Sequence, residues 1–306
     1  MAAIYSIQVP ASSTNLGAGY DALGLALGLY LEVRVQESGS GSPEIHMEGE
    51  GAGELLSVRE NLMWKVIRRV FQGEGRPQTP LRLEVRNHIP LARGLGSSAA
   101  AIVAALGIYE ALAGKELSQE KFFRYALEFE THPDNLTAAR FGGFTVSCVD
   151  EVGRVSFFRT RVADALKVLL VVPDIRLPTS EARAVVPDRL EMSDVIFNLQ
   201  RSALTVAALM AGQFRFLGES LRDKVHQPYR APLIPGLQEV LALKGGEIPG
   251  LLGLSLSGAG PSVAAFIQGD GRDVFGQIQS IFNRHGVNCR PLELKIDNRG
   301  RSIGQS

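Results

Sequence analysis

The sequence predicts a protein of mixed helices and strands folded in two parts. Segments that alternate polar and apolar residues, the period of a strand, are interleaved with segments whose apolar positions recur at helical spacing. At 306 residues the chain is long enough for two domains or one large α/β domain with a substantial core. Its character also changes after Val152, where strands are expected at Val152–Arg159 and Lys167–Val172, which places a boundary between about residues 150 and 160.

Residues 4–9 alternate as a strand that Pro10 should end. Ala11–Tyr20 reads as a polar, Gly-bearing loop, followed by an apolar segment that turns β-rich at Tyr30–Val35. Asn15, Gly17, Gly19 and Asp21 fall around that loop, either as ordinary turn formers or as groups facing a ligand. The Ser/Gly/Glu-rich stretch Glu37–Gly53, with a short strand at Glu44–Met47, reads as an exposed hairpin. Leu62, Val66, Ile67 and Val70 mark an amphipathic helix over 60–71 with Asn61 at its start, and LRLEVRN, 81–87, a strand with one polar face. The small apolar residues of 97–113 predict a helix buried against a sheet, and Ser118 caps a second helix that runs to about Thr131. Thr179 opens a short helix with Arg183 one turn on, and Met192–Ala211 is a long helix whose apolar face reads as core. LRDKVHQPYRAPLIPG ends a further helix in a Pro-punctuated loop carrying His226 and Arg230. A strand, a glycine-rich turn at Ser257–Ser262, a second strand, a helix and an edge strand complete the chain, and the polar tail from Asp297 is expected to fray.

Composition excludes several classes of function. Lys plus Arg equals Asp plus Glu at 32 each, so the basic excess of a nucleic-acid or membrane-surface protein is missing. No apolar run approaches the ~20 residues that span a bilayer, and MAAIYSIQVP has no signal-peptide pattern, so a cytoplasmic location is expected. Cys148 and Cys289 stand far apart and outside any CxxC pair, which suggests neither a disulfide framework nor a zinc site.

The stretch PLARGLGSSAAA, Pro90–Ala101, carries the chemistry. Two glycines, Gly94 and Gly96, precede Ser97, Ser98 and a helix, so free backbone N–H groups and the helix dipole offer an anion seat that glycine backbone could approach closely. An N-capped core helix after a Gly-containing turn fits the same residues, and the stretch alone leaves both readings open. It is neither a Walker A loop, having no GxxxxGK[ST] and no lysine, nor a Rossmann fingerprint. Further on, His132, Asp134 and Asn135 fall within four residues, chemically dense but also ordinary turn chemistry.

Three stretches together, PASSTNLGAGYDALGLAL, PLARGLGSSAAA and LSLSGAGPSVAAF, resemble the GHMP kinases in order and spacing over most of the chain. Within that family, PASSTNLGAGYD and the central HPDN look most like the homoserine kinases. The resemblance implies an α+β, two-domain GHMP kinase fold: an N-terminal ATP-binding domain over 1–155, of a kind shared with a ribosomal protein domain, and a ferredoxin-like C-terminal domain over 156–306. It implies ATP and Mg²⁺ as cofactors, transfer of phosphate to the side-chain hydroxyl of L-homoserine, a small-molecule partner and no nucleic acid or membrane, and it is compatible with a homodimer. Carried over by residue, Pro90, Leu91, Ala92, Arg93, Gly94, Leu95, Gly96, Ser97 and Ser98 form the phosphate loop, with Ser98 on Mg²⁺ and Asn61 beside the nucleoside. Asn15, Asp21, His132, Asp134 and Asn135 surround the amino alcohol, Thr179, Arg183 and Arg230 hold its hydroxyl end and carboxylate, and Gly258 and Gly260 buttress the loop and border the substrate. The metal carboxylate aligns with Glu130, while Glu128 lies two residues away at the same helix end.

These assignments agree with the chemistry. A zwitterion needs a cationic clamp and an anionic partner, which Arg183, Arg230 and Asp21 supply. Phosphoryl transfer needs mainly positioning and charge neutralisation, so Asp134 and Asn135 are expected to orient the hydroxyl without a strong general base. Two departures bear on the substrate: Thr131 stands where the family pattern has Gly, and Thr137-Ala138 where it has Ala-Pro. A GHMP kinase for another alcohol, a non-catalytic relative and a nucleic-acid binder are the competing readings, and Ser98, Glu130 and GLGSS count against the second.

Overall fold

A computed structural model describes residues 3–38, 41–54, 58 and 60–305. Its strands form two sheets. The first contains β1 (Ile4–Thr14), β2 (Leu23–Glu37), β3 (Glu44–Gly49), β4 (Leu81–Asn87), β5 (Phe144–Val149), β6 (Val155–Thr160) and a last strand, Ser302–Gln305. The second contains β7 (Lys167–Pro173), β8 (Leu251–Leu256), β9 (Val263–Ile267) and β10 (Cys289–Lys295), all antiparallel in the order β10-β7-β9-β8. Ser302–Gln305 is therefore β11.

Pro10 does not end the first strand. β1 runs on to Thr14, with a register shift at Pro10/Ala11 that absorbs the proline, and β2 begins at Leu23 rather than Tyr30. Burial explains both corrections: Ala11 to Thr14 lie inside the protein, where their backbone groups need ladder partners. β3 is not part of a hairpin but pairs in parallel with β4. The crossover between them carries helix α1 (Leu62–Gly73), as a parallel pair requires. Gly39 and Ser40 of the expected hairpin lie outside the described residues.

Helix α2 (Ser97–Ala113) is apolar on every side because it has neighbours on every side: β1 and β2 beneath it, with α1, α3 (Gln119–Ala126) and α4 (Pro133–Phe141) around it. The Ser118 hydroxyl accepts from Lys121 N–H, so the cap is as expected, but α3 stops at Ala126, five residues short of Thr131. The β5–β6 hairpin crosses residue 155, and the chain enters the second sheet only at Lys167. There it forms α5 (Thr179–Ala184), α6 (Met192–Ala211), α7 (Leu217–Ser220), α8 (Gln227–Arg230), α9 (Leu237–Leu241) and α10 (Arg272–Arg284). β7, β8, β9 and β10 with the intervening helices give the βαββαβ order of a ferredoxin-like sheet.

Two sequence expectations fail in this half. α6 buries Asn198, Thr205, Ala208 and Leu209, and its most apolar residues face outward instead of forming core. The tail does not fray. The Asp297 carboxylate accepts from the Tyr30 hydroxyl (2.8 Å) and the Gly300 N–H (2.7 Å), and burial with this contact pushes the Tyr30 pKa up to about 12. Arg301 forms a buried ion pair with Glu110 of α2, and β11 pairs antiparallel with β1. Polarity misled here, because the polar tail residues bond to the body of the protein rather than to water.

Candidate active site

The first sheet and α2 set the loop Pro90–Gly96 that the sequence singled out. Gly96 occupies the cap position of α2 with φ 67°, and Ala92 and Gly94 also take positive φ, at 53° and 71°. The absence of a Cβ at both glycines lets other parts of the protein pack against the loop. A Cβ on Gly96 would sit 2.0 Å from the Ser12 hydroxyl oxygen and 2.8 Å from Asn135 Oδ1. The Ser257 hydroxyl donates to Gly94 O (2.7 Å) and lies 2.8 Å from the Ser13 hydroxyl, so the SGAGPS turn buttresses the loop. Gly258 and Ala259 line the cleft, and a Cβ on Gly260 would meet the side chains of Leu256 and Ile234.

The cleft beyond the loop, about 150 Å³, gathers Asn15, Asp21, Glu130, His132, Asp134, Asn135, Thr179, Arg183 and Arg230 against Pro90 and the stretch Ala92–Ser98.

 Chain distance is bridged by β1, α4 and α5, which converge on this one place.

The electrostatics of the cleft centre on one ion pair. Arg183 meets Asp21 with two hydrogen bonds, at 2.7 and 3.1 Å. His132 Nδ1 accepts from Arg183 (2.9 Å) and from the Thr131 hydroxyl (2.7 Å), which leaves Nε2–H toward Asp21 at 3.4 Å. Burial holds the His132 pKa below its ordinary value, so the ring is neutral near pH 7. Thr131 thus supports His132 at the cleft. Thr137 does not border the cleft: its hydroxyl turns inward to Asp134 O (2.9 Å) and Thr145. Asp134 is 3 % exposed, and burial pushes its pKa up to about 7 even though its carboxylate accepts from Asn135 N–H (2.7 Å). Asn135 in turn accepts from the Ser12 hydroxyl (2.8 Å) and donates to Thr14 (3.3 Å), which fixes its amide.

Several expected ligand contacts are engaged by protein. The Asn15 amide donates to Gly258 O (2.7 Å) and accepts from Asp21 N–H (3.0 Å), so it shapes the loop. Arg230 is buried, donating to Ala182 O (2.9 Å), Gly258 O (3.2 Å) and the Tyr20 hydroxyl (3.3 Å). Tyr20 was not singled out in the sequence, yet both Arg183 and Arg230 lie over its ring, at 5.6 and 5.2 Å, and His226 stacks on it at 5.1 Å. Its position beside Asp21 in GAGYD was the one available signal. Arg93 sits at the edge of the loop, 3.8 Å from Asp174. Glu128 is held by both nitrogens of an Arg69 fork at 2.6 and 2.7 Å, while Glu130 lines the cleft and is pushed above the usual carboxylate range by burial.

A second cavity of about 400 Å³ opens beside the first, walled by Leu31, Leu62, Met63, Val85, Leu91 and Ala101. Asn61 stands at its edge, where its side-chain oxygen also caps α1 by accepting from Met63 N–H at 2.9 Å. Ala92, Ser97 and Ser98 line both cavities, so an apolar chamber and a charged cleft meet at the start of α2.

Comparison with known proteins agrees with this arrangement. Residues 61–143 match the GHMP kinases N terminal domain and residues 205–286 the GHMP kinases C terminal domain. A homoserine kinase of Moorella thermoacetica is 40% identical, covering 97% of this chain and 99% of the relative, and one of Thermus thermophilus is 41% identical over 85% of each. The crystal structure of homoserine kinase from Cytophaga hutchinsonii superimposes with a TM-score of 0.85 at 25% identity, covering 98% of this chain and 97% of that one. A mevalonate kinase structure, at 16% identity and a TM-score of 0.69 over 96% of this chain and 99% of that one, shares the fold.

Proposed function

Because the chain belongs to the GHMP kinase family, and within it to the homoserine kinases, we propose that it transfers the γ-phosphoryl group of ATP to the side-chain hydroxyl of L-homoserine, giving O-phospho-L-homoserine. The observation that carries this reading is the junction of the two cavities at Ser97 and Ser98. The apolar chamber by Asn61 suits a nucleoside base, the start of α2 suits its phosphates, and the charged cleft suits a zwitterion. The boundary expected between residues 155 and 156 falls at the start of β6, which pairs with β5 in the first sheet, so the two domains we propose part between Thr160 and Lys167, with β11 returning to the N-terminal one. A small-molecule partner fits the formal net charge of zero. Among the described residues, no helix is long and apolar enough to cross a membrane.

In this reading homoserine enters by opening the Asp21–Arg183 pair. Its ammonium takes Asp21 and its carboxylate takes Arg183, so each charge exchanges one partner for another. Buried Arg230 acts through Tyr20 and Gly258, keeping the floor of the cleft in place. Thr179, Asp134 and Asn135 face the reacting hydroxyl, and the Ser12 and Thr14 contacts hold the Asn135 amide toward it.

Mg²⁺ fits the residues present. Ser98 and Glu130 line one cleft, both offer hard oxygen, and burial of the Glu130 carboxylate is the environment in which a cation is welcome. Among the described residues no group of three His, Cys, Asp or Glu side chains could hold a metal, so the remaining ligands would be phosphate and water oxygens. When bound, the ion would neutralise phosphate charge. Glu130→Gln is expected to raise the Mg²⁺ concentration for half-maximal rate by at least about tenfold. Glu128→Gln should leave it unchanged, since Glu128 serves Arg69; equal effects of the two variants in a Mg²⁺ titration would reject the assignment.

ADP release from Mg·ATP, followed with homoserine, threonine, serine, mevalonate and galactose in turn, tests the activity. The expected result is the highest kcat/KM with homoserine. No release with any amino alcohol would overturn the proposal.

A further inference from the structure

The loop that presents Asp21 is strained, and a buried histidine from the second half of the chain reaches it. Between β1 and β2, Asn15, Leu16 and Asp21 all take positive φ, at 68°, 44° and 57°, although none is glycine. Such backbone persists only where its surroundings fix it. Gly17 in the same loop lies against the chain that leads to α8, where a Cβ would fall 2.0 Å from Leu221 O. His226, fully buried at the start of α8, spans the gap. Its Nε2 lies 2.8 Å from Gly17 O, its Nδ1 lies 3.2 Å from an Arg230 nitrogen, and its ring stacks on Tyr20 at 5.1 Å. A carbonyl can only accept and a guanidinium can only donate, so the ring is the Nε2–H tautomer with Nδ1 as acceptor. Burial lowers the His226 pKa, which favours this neutral form. Asp223 in turn seats the residue, one carboxylate oxygen accepting from the backbone N–H of His226 (2.9 Å) and of Gln227 (2.5 Å) and the other from the Asn198 amide (2.6 Å).

We propose that His226 is a positioning residue for the amino alcohol, a role that rests on the activity proposed above: it ties the strained loop to Arg230 and so holds Tyr20 and Asp21 where the substrate meets them. His226 does not line the cleft and acts through its neighbours. The contacts form a closed circuit. Nε2–H fixes Gly17 O, just before Tyr20, while Nδ1 takes one Arg230 nitrogen. Arg230 donates through its other terminal nitrogen to the Tyr20 hydroxyl at 3.3 Å, and that hydroxyl also accepts from Arg183 at 3.3 Å. Arg183 closes the circuit on Asp21. Any ring could stack on Tyr20, but only one with a donor toward Gly17 and an acceptor toward Arg230 satisfies both buried groups. The polar edge of the imidazole, rather than its bulk, is therefore what the loop depends on.

His226→Phe keeps a ring against Tyr20 and removes both polar contacts, so KM for homoserine is expected to rise by about tenfold or more while KM for ATP stays within about twofold. His226→Gln, whose amide can donate to Gly17 O, should recover most of that loss. A histidine that served folding alone would lower kcat through the fraction of active protein and leave KM unchanged. An unchanged KM for homoserine in His226→Phe, or KM values for both substrates that rise together, would therefore overturn the proposal. Should His226→Phe not fold, two-bond ¹H–¹⁵N NMR of the parent protein decides: a proton on Nε2 and none on Nδ1 is expected, and the opposite tautomer or a doubly protonated ring near pH 7 would overturn it. If the protein turns over another amino alcohol in place of homoserine, the homoserine reading fails by itself, and the same comparison of KM values with that alcohol tests His226.

Discussion

Replacing Asp134 with Asn is expected to make the protein more stable above pH 7 and slower at its reaction. Burial holds the native carboxyl at about 7, whereas an unfolded aspartate titrates near about 4. Between those values the native state keeps a proton that the unfolded state has lost, so the parent protein loses stability as pH rises from about 4 to 7 and levels off above. A shift of about three units sets an upper bound of about 4 kcal/mol. Asn does not titrate and still accepts from Asn135 N–H, so a gain of roughly 2 kcal/mol is expected at pH 8 and a smaller one at pH 5, read from urea melts. If Asp134 only orients the hydroxyl, kcat should fall by less than the roughly 10²–10⁴-fold that a general base supplies. Loss of all turnover with homoserine still bound would instead assign the proton to Asp134.

Gly94→Ala is expected to damage fold and site together. The added Cβ would lie 2.0 Å from Ser257 O, 2.8 Å from Gly260 N and 2.9 Å from Gly260 O, at a φ of 71° that alanine avoids. All three neighbours are backbone, so relief requires the phosphate loop to part from the SGAGPS turn. The expected cost is about 3–5 kcal/mol, a large share of a typical folding free energy, with ATP affinity lost in whatever protein folds. Gly114→Ala, at φ 62° with open space around it, should cost only about 1–2 kcal/mol. Similar losses in thermal melts of the two variants would show that the contact with the turn contributes little.

Motifs made the phosphate loop, the HPDN segment and the Asp21–Arg183 neighbourhood legible in the sequence, because each is a short run with its own local chemistry. The helices α1 and α6 were legible by period, and α2 by its run of small apolar residues. Partnership was not. Period shows that α6 has an apolar side but not whether this chain covers it, and nothing in the string HQPYR shows that Arg230 is buried and engaged by Ala182 O, Gly258 O and Tyr20. The β3 stretch reads as a hairpin arm because sequence neighbours pair more often than not, whereas it pairs across α1 with β4. Tyr20 escaped notice for a similar reason: its partners, Arg183, Arg230 and His226, come from beyond residue 180.

The pairing of β11 with β1 has a consequence for synthesis on the ribosome. Residues 302–305 are the last of this sheet to be made, and they cover the first of its strands in chain order. Until they emerge, Tyr5 to Gln8 of β1 offer an open edge of unpaired N–H and C=O groups, the kind of template on which nascent chains join one another. Meanwhile the whole second sheet can form in the interval between two neighbouring strands of the first. Yield in the cell should therefore depend on how long that edge waits, and slowing translation over the final third of the message should raise the aggregated fraction without altering the finished molecule.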